Sequence, residues 1–278
     1  MNATGPDPAD STPSDSTRTG GTPADPTDLF RLDGRVAVVT GASSGLGDRF
    51  ARVLHAAGAT VVAAARRAER LDALAGALGE RLVPVTADLT VSEDRERVVA
   101  RAVEVGGRLD VLVNNAGYGV PAAAESEPVE HFERTMDINV TAVYHLAQLA
   151  AREMLPAGRG SIVNIASVLG LVAAAPIKEA AYCASKGAVV NLTRQLGCEW
   201  GRKGVRVNAI APGWFPSEMT REEMFDDEAG LAFITRNTPM GRGGELDELD
   251  GALLFLAGDA STYVTGHVLA VDGGWLAR

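Results

Sequence analysis

A tyrosine and a lysine stand four positions apart, as Tyr182 and Lys186, in the stretch AAYCASKGAV at residues 180–189. Residues at this spacing share one face of a helix, so the lysine ammonium can lie close to the phenol oxygen. A nearby cation favours the phenolate and lowers a pKa that is ordinarily about 10. Such a pair could donate and accept a proton, but two unrelated residues on an ordinary helix would show the same spacing.

A second stretch with chemical potential is the glycine-rich TGASSGLG at residues 40–47, which directly follows the apolar run RVAVVTGA. A strand, a tight turn and a helix N-terminus bring unpaired N–H groups and the positive end of a helix dipole to one point, as a pyrophosphate requires. The spacing is G-x-x-x-G-x-G, and the alternative is a glycine-rich connection without a ligand. The predicted dinucleotide-binding residues of this turn are Gly41, Ser43, Ser44, Gly45, Leu46 and Gly47.

The elements that position these residues follow from the alternation of short apolar runs with longer helical stretches. This alternation predicts an α/β fold, a doubly wound, Rossmann-like seven-stranded parallel sheet with helices on both faces. In such a sheet the ligand crevice lies beyond the C-terminal ends of the strands. Strands are expected at 35–42, 59–67, 81–90, 109–117, 160–167, 205–213 and 267–274.

The composition separates the chain into two parts. Residues 1–28 consist mainly of Pro, Asp, Ser, Thr and Gly, which predicts a disordered tail, and they lack the pattern of a signal peptide. Residues 29–278 are long and apolar enough for a substantial core and are expected to form a single domain.

Charge and hydropathy exclude several classes of partner. The formal net charge is −10 and there is no basic run, which argues against nucleic acid and anionic membranes. No stretch has the roughly 18–20 uncharged apolar residues of a membrane span. Cys183 and Cys198 are too few for a disulfide framework, and no Cys/His cluster has metal-ligand spacing. We therefore expect no metal and a cytoplasmic protein.

Three further motifs complete a pattern. NNAG lies at 114–117, Ser167 follows the fifth predicted strand, and Pro212-Gly213 follows the sixth. Together with the glycine turn and the Tyr182–Lys186 pair, these motifs resemble those of the short-chain dehydrogenase/reductase family over roughly residues 30–276. The resemblance implies reversible hydride transfer between a nicotinamide cofactor and a small-molecule carbonyl or secondary alcohol.

Four polar residues are the expected catalytic set. Tyr182 is assigned as the general acid/base, and the Ser167 hydroxyl is expected to bond the substrate oxygen. The resemblance implies that Lys186 bonds the nicotinamide ribose and that Asn139 supports a proton-relay water. Ser167 and Tyr182 are fifteen positions apart, whereas family members commonly have twelve or thirteen. The additional length lies in VLGLVAAAPIKEA, which should border the substrate.

The end of the second predicted strand bears on the choice of cofactor. Enzymes that use NAD place an acidic residue there to bond the ribose 2′-hydroxyl, but this chain has Ala65 followed by Arg66 and Arg67. A guanidinium suits a 2′-phosphate, so NADP(H) is favoured over NAD(H). The alternative is that both arginines are solvated charges at a helix entry.

The resemblance implies further cofactor contacts along the cleft. The adenine would contact Asp88 and Leu89, and the adenosine ribose would contact Asn115, Ala116 and Gly117. The nicotinamide half would contact Pro212, Gly213, Phe215 and Ser217. Ser217 stands where the family commonly has a threonine that bonds the carboxamide.

Residues 214–242 are expected to form a long irregular lid over the substrate. An apolar pocket there would use Trp214, Phe215, Met219, Met224 and Phe233. The favoured function is an NADP(H)-dependent carbonyl reductase or secondary-alcohol dehydrogenase acting on an uncharged, partly apolar substrate. The alternatives are a 3-oxoacyl thioester reductase, an NAD-dependent sugar-alcohol or gluconate-type dehydrogenase, and a nucleotide-sensing scaffold without catalysis. The resemblance also implies a homotetramer or homodimer.

Overall fold

The computed structural model describes residues 25–173, 177–218 and 220–277. Its centre is a sheet of seven strands: β1 Val36–Thr40, β2 Thr60–Ala65, β3 Leu82–Thr86, β4 Val111–Asn114, β5 Gly160–Ile165, β6 Val205–Pro212 and β7 Val268–Val271. All six pairings between neighbouring strands are parallel, and the order across the sheet is β3-β2-β1-β4-β5-β6-β7. This confirms the predicted doubly wound, seven-stranded fold.

The longer helices are α1 Gly45–Ala56, α2 Ala68–Leu78, α3 Ser92–Gly106, α4 Val129–Met136, α5 Ala142–Met154, α6 Ala180–Trp200, α7 Glu228–Asn237 and α8 Asp250–Ala257. Short 3-10 helices occupy Pro26–Phe30, Val168–Gly170, Gly201–Lys203, Leu246–Leu249, Asp259–Ser261 and Trp275–Ala277. Two segments are π-helical turns, Asp137–Thr141 and Arg221–Phe225. None of the helices in the described ranges has the length and apolar character needed to cross a membrane.

Helices cover both faces of the sheet, and alternate strand residues pack against each layer. On one face Val39, Val61 and Val113 are buried with residues of α1, α2 and α8. On the other face Val38 and Val62 are buried with residues of α3, α5 and α6. Each fully buried aliphatic side chain of this kind contributes roughly 1.5–3 kcal/mol. Burial on both faces explains why the strands are continuously apolar in the sequence.

The strand order reverses between β1 and β4, and this point defines the crevice of the fold. From β1 the chain proceeds to β2 and β3 on one side, then returns to build β4 to β7 on the other. Asn115 closes the floor of the crevice, because its backbone N–H donates to Thr40 Oγ1 at 3.0 Å and its Nδ2 to the Thr40 carbonyl at 2.8 Å. The glycine turn after β1 and the NNAG motif after β4 are therefore neighbours.

Two helical regions differ from the sequence prediction. The stretch PVEHFERTMDINVTAVYHLAQLAAREML at 128–155 predicts one long helical region, but the π-helical turn Asp137–Thr141 interrupts it, and there the Ala142 N–H bonds the Asp137 carbonyl five residues back. The lid expected to be irregular at 214–242 contains the helix α7, whose N-cap Asp227 accepts a hydrogen bond from the Gly230 N–H at 2.8 Å. Helix α7 has ten residues, too few for its periodicity to stand out among the polar residues around it.

The described structure begins at residue 25, inside the segment 1–28 that was predicted to be a disordered tail. Residues 1–24 lie outside the described residues, as do 174–176 of the predicted substrate loop and Met219 of the predicted pocket. From Pro26 the chain forms a 3-10 helix, with the Asp25 carboxylate accepting a hydrogen bond from the Thr27 N–H at 2.9 Å.

Candidate active site

The turn after β1 presents bare backbone to the crevice. Gly41 and Gly45 have φ of +69° and +52°, values that a residue with a side chain adopts only with strain. A Cβ on Gly47 would lie 2.2 Å from the Gly41 carbonyl oxygen, so the first turn of α1 packs directly on the loop. The result is a cradle of backbone groups at a helix N-terminus, which fits the diphosphate of a dinucleotide.

A single cleft of about 410 Å³ runs from this cradle to Tyr182. Except for Asn139, every residue predicted to bind cofactor or to act in catalysis lines this cleft. The cleft also has lining residues that sequence reasoning missed: Ala64, Ala65, Ala87, Thr90, Tyr118, Ile138, Ile165, Ala166, Glu218 and Thr220.

Tyr182, Ser167 and Lys186 converge at the inner end of the cleft. Helix α6 carries Tyr182 and Lys186 on one face, and Ser167 follows β5 as the N-cap of Val168–Gly170. The Ser167 hydroxyl accepts a hydrogen bond from the Leu169 N–H at 3.1 Å and lies close enough to the Tyr182 phenol to influence its pKa. The Lys186 ammonium donates to the Ile165 carbonyl at 2.8 Å and lies 5.5 Å from the centroid of the Tyr182 ring.

The electrostatics of this group correct one prediction. Burial raises the pKa of Tyr182, the Glu179 charge raises it further, and the Ser167 hydroxyl opposes both. The expected lowering of the Tyr182 pKa is therefore wrong for this structure, because Lys186 is bonded to a backbone carbonyl rather than to the phenol oxygen. Burial lowers the pKa of Lys186 itself to about 8. The phenol is thus held protonated at neutral pH and is a proton donor.

Asn139 lies behind the cleft, in the π-helical turn, and is fully buried. Its Nδ2 donates to the Tyr118 carbonyl at 2.7 Å and to Ser185 Oγ at 2.9 Å, and its Oδ1 accepts from the Tyr118 N–H at 2.8 Å. Both N–H groups of the amide are therefore used within the protein. The side chain braces the Tyr118 segment against α6, and it has no amide hydrogen left for the predicted relay water.

The loop that contains Tyr118 and Gly119 packs against the ring of Tyr182. A Cβ on Gly119 would lie 2.7 Å from Cδ2 of Tyr182, so this glycine allows the loop to lie flat against the ring. Tyr118 itself bonds His131 Nε2 through its hydroxyl at 3.2 Å, and the Arg134 guanidinium lies 4.9 Å from its ring centroid. Its position directly after NNAG was the signal in the sequence that could have identified it.

The opposite end of the cleft gathers positive charge. Arg67 donates through Nε and Nη2 to Ser43 Oγ at 3.1 and 2.9 Å, and through Nη2 to Ser44 Oγ at 2.7 Å. Arg66 is exposed and lies close enough to Asp88 to lower the pKa of that carboxyl, although the Thr90 N–H hydrogen bond to Asp88 lowers it more.

Glu218 occupies this same end and was not predicted. Its carboxylate accepts hydrogen bonds from Ser44 Oγ at 3.0 Å and from Arg67 Nη1 at 3.0 Å, and it also pairs with Arg70. The bonds from Arg67, followed by those from Arg70 and Ser44, hold the pKa of Glu218 down at about 2. Glu218 lies more than 140 residues from each of these partners, so no local pattern in the sequence could have indicated the contact.

Tyr182 packs against an aromatic cluster that includes two of the predicted pocket residues, Trp214 and Phe233. The Trp214 ring centroid lies 6.0 Å from that of Phe233 and 5.6 Å from that of Trp275. Met224 packs against the same cluster, whereas Phe215 belongs to the core beneath the cofactor end. Trp275 is the fourth residue from the end of the sequence, outside every motif, and was missed.

The turn that carries Ser217, the residue predicted to bond the carboxamide, is fixed by hydrogen bonds. The Ser217 hydroxyl lies 3.0 Å from Thr220 Oγ1, and Thr220 Oγ1 donates to the Phe215 carbonyl at 2.6 Å. This turn fixes the start of the lid at the edge of the cleft. Thr220 thus presents a second hydroxyl beside the one that was predicted.

Comparison with known proteins agrees with this geometry. Residues 41–276 match the family model described as enoyl-(acyl carrier protein) reductase. The chain is 44% identical over 251 residues to gluconate 5-dehydrogenase from Gluconobacter oxydans (strain 621H), covering 89% of this chain and 96% of the relative. It is 36% identical over 248 residues to a 3-oxoacyl-[acyl-carrier-protein] reductase from Thermotoga maritima, covering 88% and 99%.

Solved structures give the same result. The fold is similar to that of a gluconate 5-dehydrogenase from Burkholderia cenocepacia J2315 in complex with NADP and tartrate. The TM-score is 0.85 at 37% identity, with 90% of this chain and 98% of that chain covered. The predicted family resemblance is confirmed: the chain belongs to the short-chain dehydrogenase/reductase family and is an NAD(P)-dependent oxidoreductase.

Proposed function

We propose that this protein interconverts a ketone and a secondary alcohol on a polyol or sugar acid, with NADP(H) as the cofactor and Tyr182 as the general acid/base. One observation carries the proposal: a single cleft joins the arginines that follow β2 to the Tyr182–Ser167 pair that follows β5. Its lining of glycine turn, arginines and hydroxyl groups suits an extended dinucleotide, with a reacting substrate at the tyrosine end.

The residues at that end divide the work of proton transfer. The nicotinamide, when bound, supplies or accepts the hydride. Tyr182, held protonated by burial, donates its proton to the carbonyl oxygen in reduction and is left as the phenolate. Oxidation runs the same step in reverse, so it starts from the phenolate, which takes the proton of the alcohol. Ser167 bonds the same oxygen and fixes its position. Lys186 lines the same cleft, and we assign its ammonium to the nicotinamide ribose.

Tyr182→Phe tests this assignment. Loss of the hydroxyl should lower kcat by about 10²–10⁴-fold, the usual contribution of a positioned acid/base, while NADPH still binds. The control is Tyr263→Phe, since Tyr263 is fully exposed. Turnover by Tyr182→Phe within tenfold of wild type would reject the acid/base role and revive the nucleotide-sensing alternative.

The preference for NADP(H) is supported by Ala65, which stands in place of an acidic residue at the end of β2, and by Arg66 and Arg67, which follow it. Calorimetric titration with NADPH and with NADH tests the preference. We expect NADPH to bind about tenfold more tightly or better, a difference of roughly 1.4 kcal/mol that is lost in Arg66→Ala. Equal or tighter NADH binding would overturn the preference.

The substrate class is proposed from the relatives. The names of several include gluconate, 2-dehydro-3-deoxy-D-gluconate or galactitol dehydrogenases. They favour a hydroxylated substrate over the uncharged, partly apolar one first expected. A panel of gluconate, galactitol and glycerol, against a simple aryl ketone, tests this with NADP⁺ or NADPH as appropriate. Turnover of the aryl ketone alone would restore the first expectation.

A second candidate is reduction of 3-oxoacyl thioesters, the activity named for the relative from Thermotoga maritima and for another from Pseudomonas aeruginosa. An acidic carrier protein would need a basic docking site, and Arg202 and Lys203 are exposed beside the C-terminal end of α6. A 3-oxoacyl thioester belongs in the same panel. Its turnover above that of every polyol would favour this activity.

The organisation of the molecule is also proposed. Residues 29–278 form one domain, since a single sheet organises both helical layers. Cys183 and Cys198 both lie in α6 and form no disulfide, which suits a cytoplasmic setting. The assembly is a homotetramer in which β7, at the edge of the sheet, contributes to an interface.

A further inference from the structure

The Glu218 carboxylate lies among the groups proposed to bind the 2′-phosphate of NADP(H). It accepts hydrogen bonds from Ser44, Arg67 and Arg70, and these three residues come from the turn after β1 and from the entry and first turn of α2. Glu218 itself belongs to the lid, directly after Ser217. One acidic side chain therefore ties the lid to the adenosine end of the cleft.

Arg67 has few N–H groups left for a ligand. Its Nε and Nη2 bond Ser43 and Ser44, and its Nη1 bonds Glu218. A carboxylate and a phosphate are recognised by the same guanidinium fork and the same hydroxyl donors. The Glu218 carboxylate thus offers Arg67 and Ser44 anionic oxygen acceptors, as a 2′-phosphate would.

Arg66 provides a contrast one position earlier. It is exposed and lines the same cleft, and within the described residues its side chain makes no hydrogen bond or ion pair. It can meet a 2′-phosphate without first losing a partner in the protein. Arg67 cannot, because its bond to Glu218 must break or rearrange before a second anion takes that place.

We propose that Glu218 is an internal competitor of the cofactor 2′-phosphate and that it sets both cofactor specificity and lid position. This inference rests on the proposed use of NADP(H). A 2′-phosphorylated cofactor takes Arg67 and Ser44 from Glu218 and releases the start of the lid. A cofactor with a bare 2′-hydroxyl leaves the contact intact. Glu218 therefore reduces the preference for NADP(H) below what the two arginines alone would give.

Binding of adenosine half-molecules tests the competition without involving catalysis. The probes are adenosine 2′,5′-bisphosphate and 5′-AMP, titrated by calorimetry into wild type, Glu218→Gln and the control Glu228→Gln. Glu228 is an exposed acid of the same lid, at the start of α7. We expect Glu218→Gln to bind the bisphosphate about fivefold more tightly, as loss of a competing surface ion-pair network allows. Its affinity for 5′-AMP and both affinities of the control should stay within twofold of wild type.

Three outcomes would overturn the inference, and each has a different meaning. No change in Glu218→Gln would make the contact a surface ion pair without a role in binding. Equal gains for both probes would mean that Glu218 repels any anion in the cleft. Wild type that binds the bisphosphate no more tightly than 5′-AMP would refute the NADP(H) preference itself, and the competition with it.

A double variant identifies the partner through which Glu218 acts. In an Arg67→Ala background the contested guanidinium is gone, so adding Glu218→Gln should change bisphosphate affinity by less than twofold. A full fivefold gain in that background would show that Arg67 is not the contested group.

Hydrogen exchange tests the second half of the proposal, the release of the lid. In wild type, saturating adenosine 2′,5′-bisphosphate should accelerate amide exchange in peptides spanning 217–225 to the rate seen in Glu218→Gln, whereas 5′-AMP should not. Slower exchange on adding the bisphosphate would show that the lid is held more firmly, and would contradict release.

Discussion

At the scale of single residues, Lys186 shows a conflict between stability and function. Its side chain is 4% exposed, and its ammonium is bonded to the Ile165 carbonyl. Removing a cation from water is costly, which is why burial lowers its pKa from 10.5 to about 8. The folded chain accepts this cost and holds a positive charge in the cleft, 5.5 Å from the centroid of the Tyr182 ring.

The conflict predicts a stabilised but impaired variant. The unfolded chain binds the Lys186 proton more tightly than the folded chain, so the penalty is complete below pH 8 and fades as the pH rises towards 10.5. Lys186→Met should therefore unfold at higher urea at pH 7, with a gain of about 2–3 kcal/mol, and should lose most turnover. Urea titrations at pH 7 and pH 9.5 should show this gain shrinking at the higher pH.

The exposed Lys203 provides the matched control. Lys203→Met removes the same charge but relieves no burial, so its effect on the free energy of unfolding should be small at both pH values. A gain for Lys186→Met that did not diminish with pH would contradict the assigned cause, since a pure packing effect has no such dependence.

At the scale of elements, the register between α6 and the turn after β5 sets the catalytic geometry. The short helix Val168–Gly170 packs so closely on α6 that a Cβ on Gly170 would lie 2.6 Å from the Lys186 carbonyl carbon and oxygen. Ser167 begins this short helix and Tyr182 lies one turn before Lys186. The direct backbone contact between the short helix and α6 therefore fixes the distance between the Ser167 and Tyr182 hydroxyls.

Gly170→Ala should consequently damage activity as well as stability. A methyl group there must push α6 away, at a cost of about 1–3 kcal/mol, and should lower kcat more than it weakens NADPH binding. Gly76→Ala in α2 is the counterpart, because a Cβ there meets nothing within 4 Å. It should stabilise the fold by about 0.5–1 kcal/mol and leave kcat unchanged. Thermal unfolding and initial rates measure both effects, and a Gly170→Ala variant with wild-type kcat would refute the account.

The elements also show what the sequence could predict. The five inner strands, β1, β2 and β4 to β6, were predictable because they are buried on both faces, which makes their apolar runs continuous. The ends of the strands were harder to predict. Strand β4 ends at Asn114 rather than at residue 117 as expected, and the Asn114 side-chain amide donates a hydrogen bond to Asn164 Oδ1 at 2.9 Å. The π-helical turn could not be predicted from the sequence, because nothing in DINVT departs from an ordinary helical pattern.

The site residues likewise divide into those that the sequence could predict and those that it could not. Residues at strand ends, such as Ser167 and the glycines after β1, were predictable from position and motif together. Glu218 and Trp275 were not, since each acts through partners distant in the sequence. The pKa of Tyr182 was predicted in the wrong direction for a related reason. Spacing brought Lys186 to the same helix face, but only the structure shows that its ammonium bonds Ile165.

At the scale of the whole molecule, one edge of the sheet is incompletely covered. Strand β7 pairs with β6 alone, and its residues are partly or fully exposed, in contrast to the buried central strands. An uncovered edge of a parallel sheet invites association with a second chain. The proposed tetramer would cover this edge.

A charge on that edge tests the arrangement. Wild type should scatter light as four copies of the 28.9 kDa chain. Ala270, exposed on β7, should give smaller species when changed to Glu, because a buried unpaired carboxylate is strongly unfavourable in an interface. Ala77→Glu, on the exposed face of α2, should remain a tetramer. A wild type that scatters as a monomer would refute the assembly, and a tetrameric Ala270→Glu would remove β7 from the interface.

The aromatic cluster of Trp214, Phe233 and Trp275 also gives the molecule an optical signal of its own. The two indoles lie 5.6 Å apart, one at the root of the lid and the other near the C-terminus, close enough to share excitation. Two of the three tryptophans of the chain belong to this cluster. A lid that moves relative to the C-terminal segment must change the spacing and tilt of the indoles, and with them the near-ultraviolet circular dichroism. Lid motion in the unlabelled protein can thus be followed in a stopped-flow spectrometer.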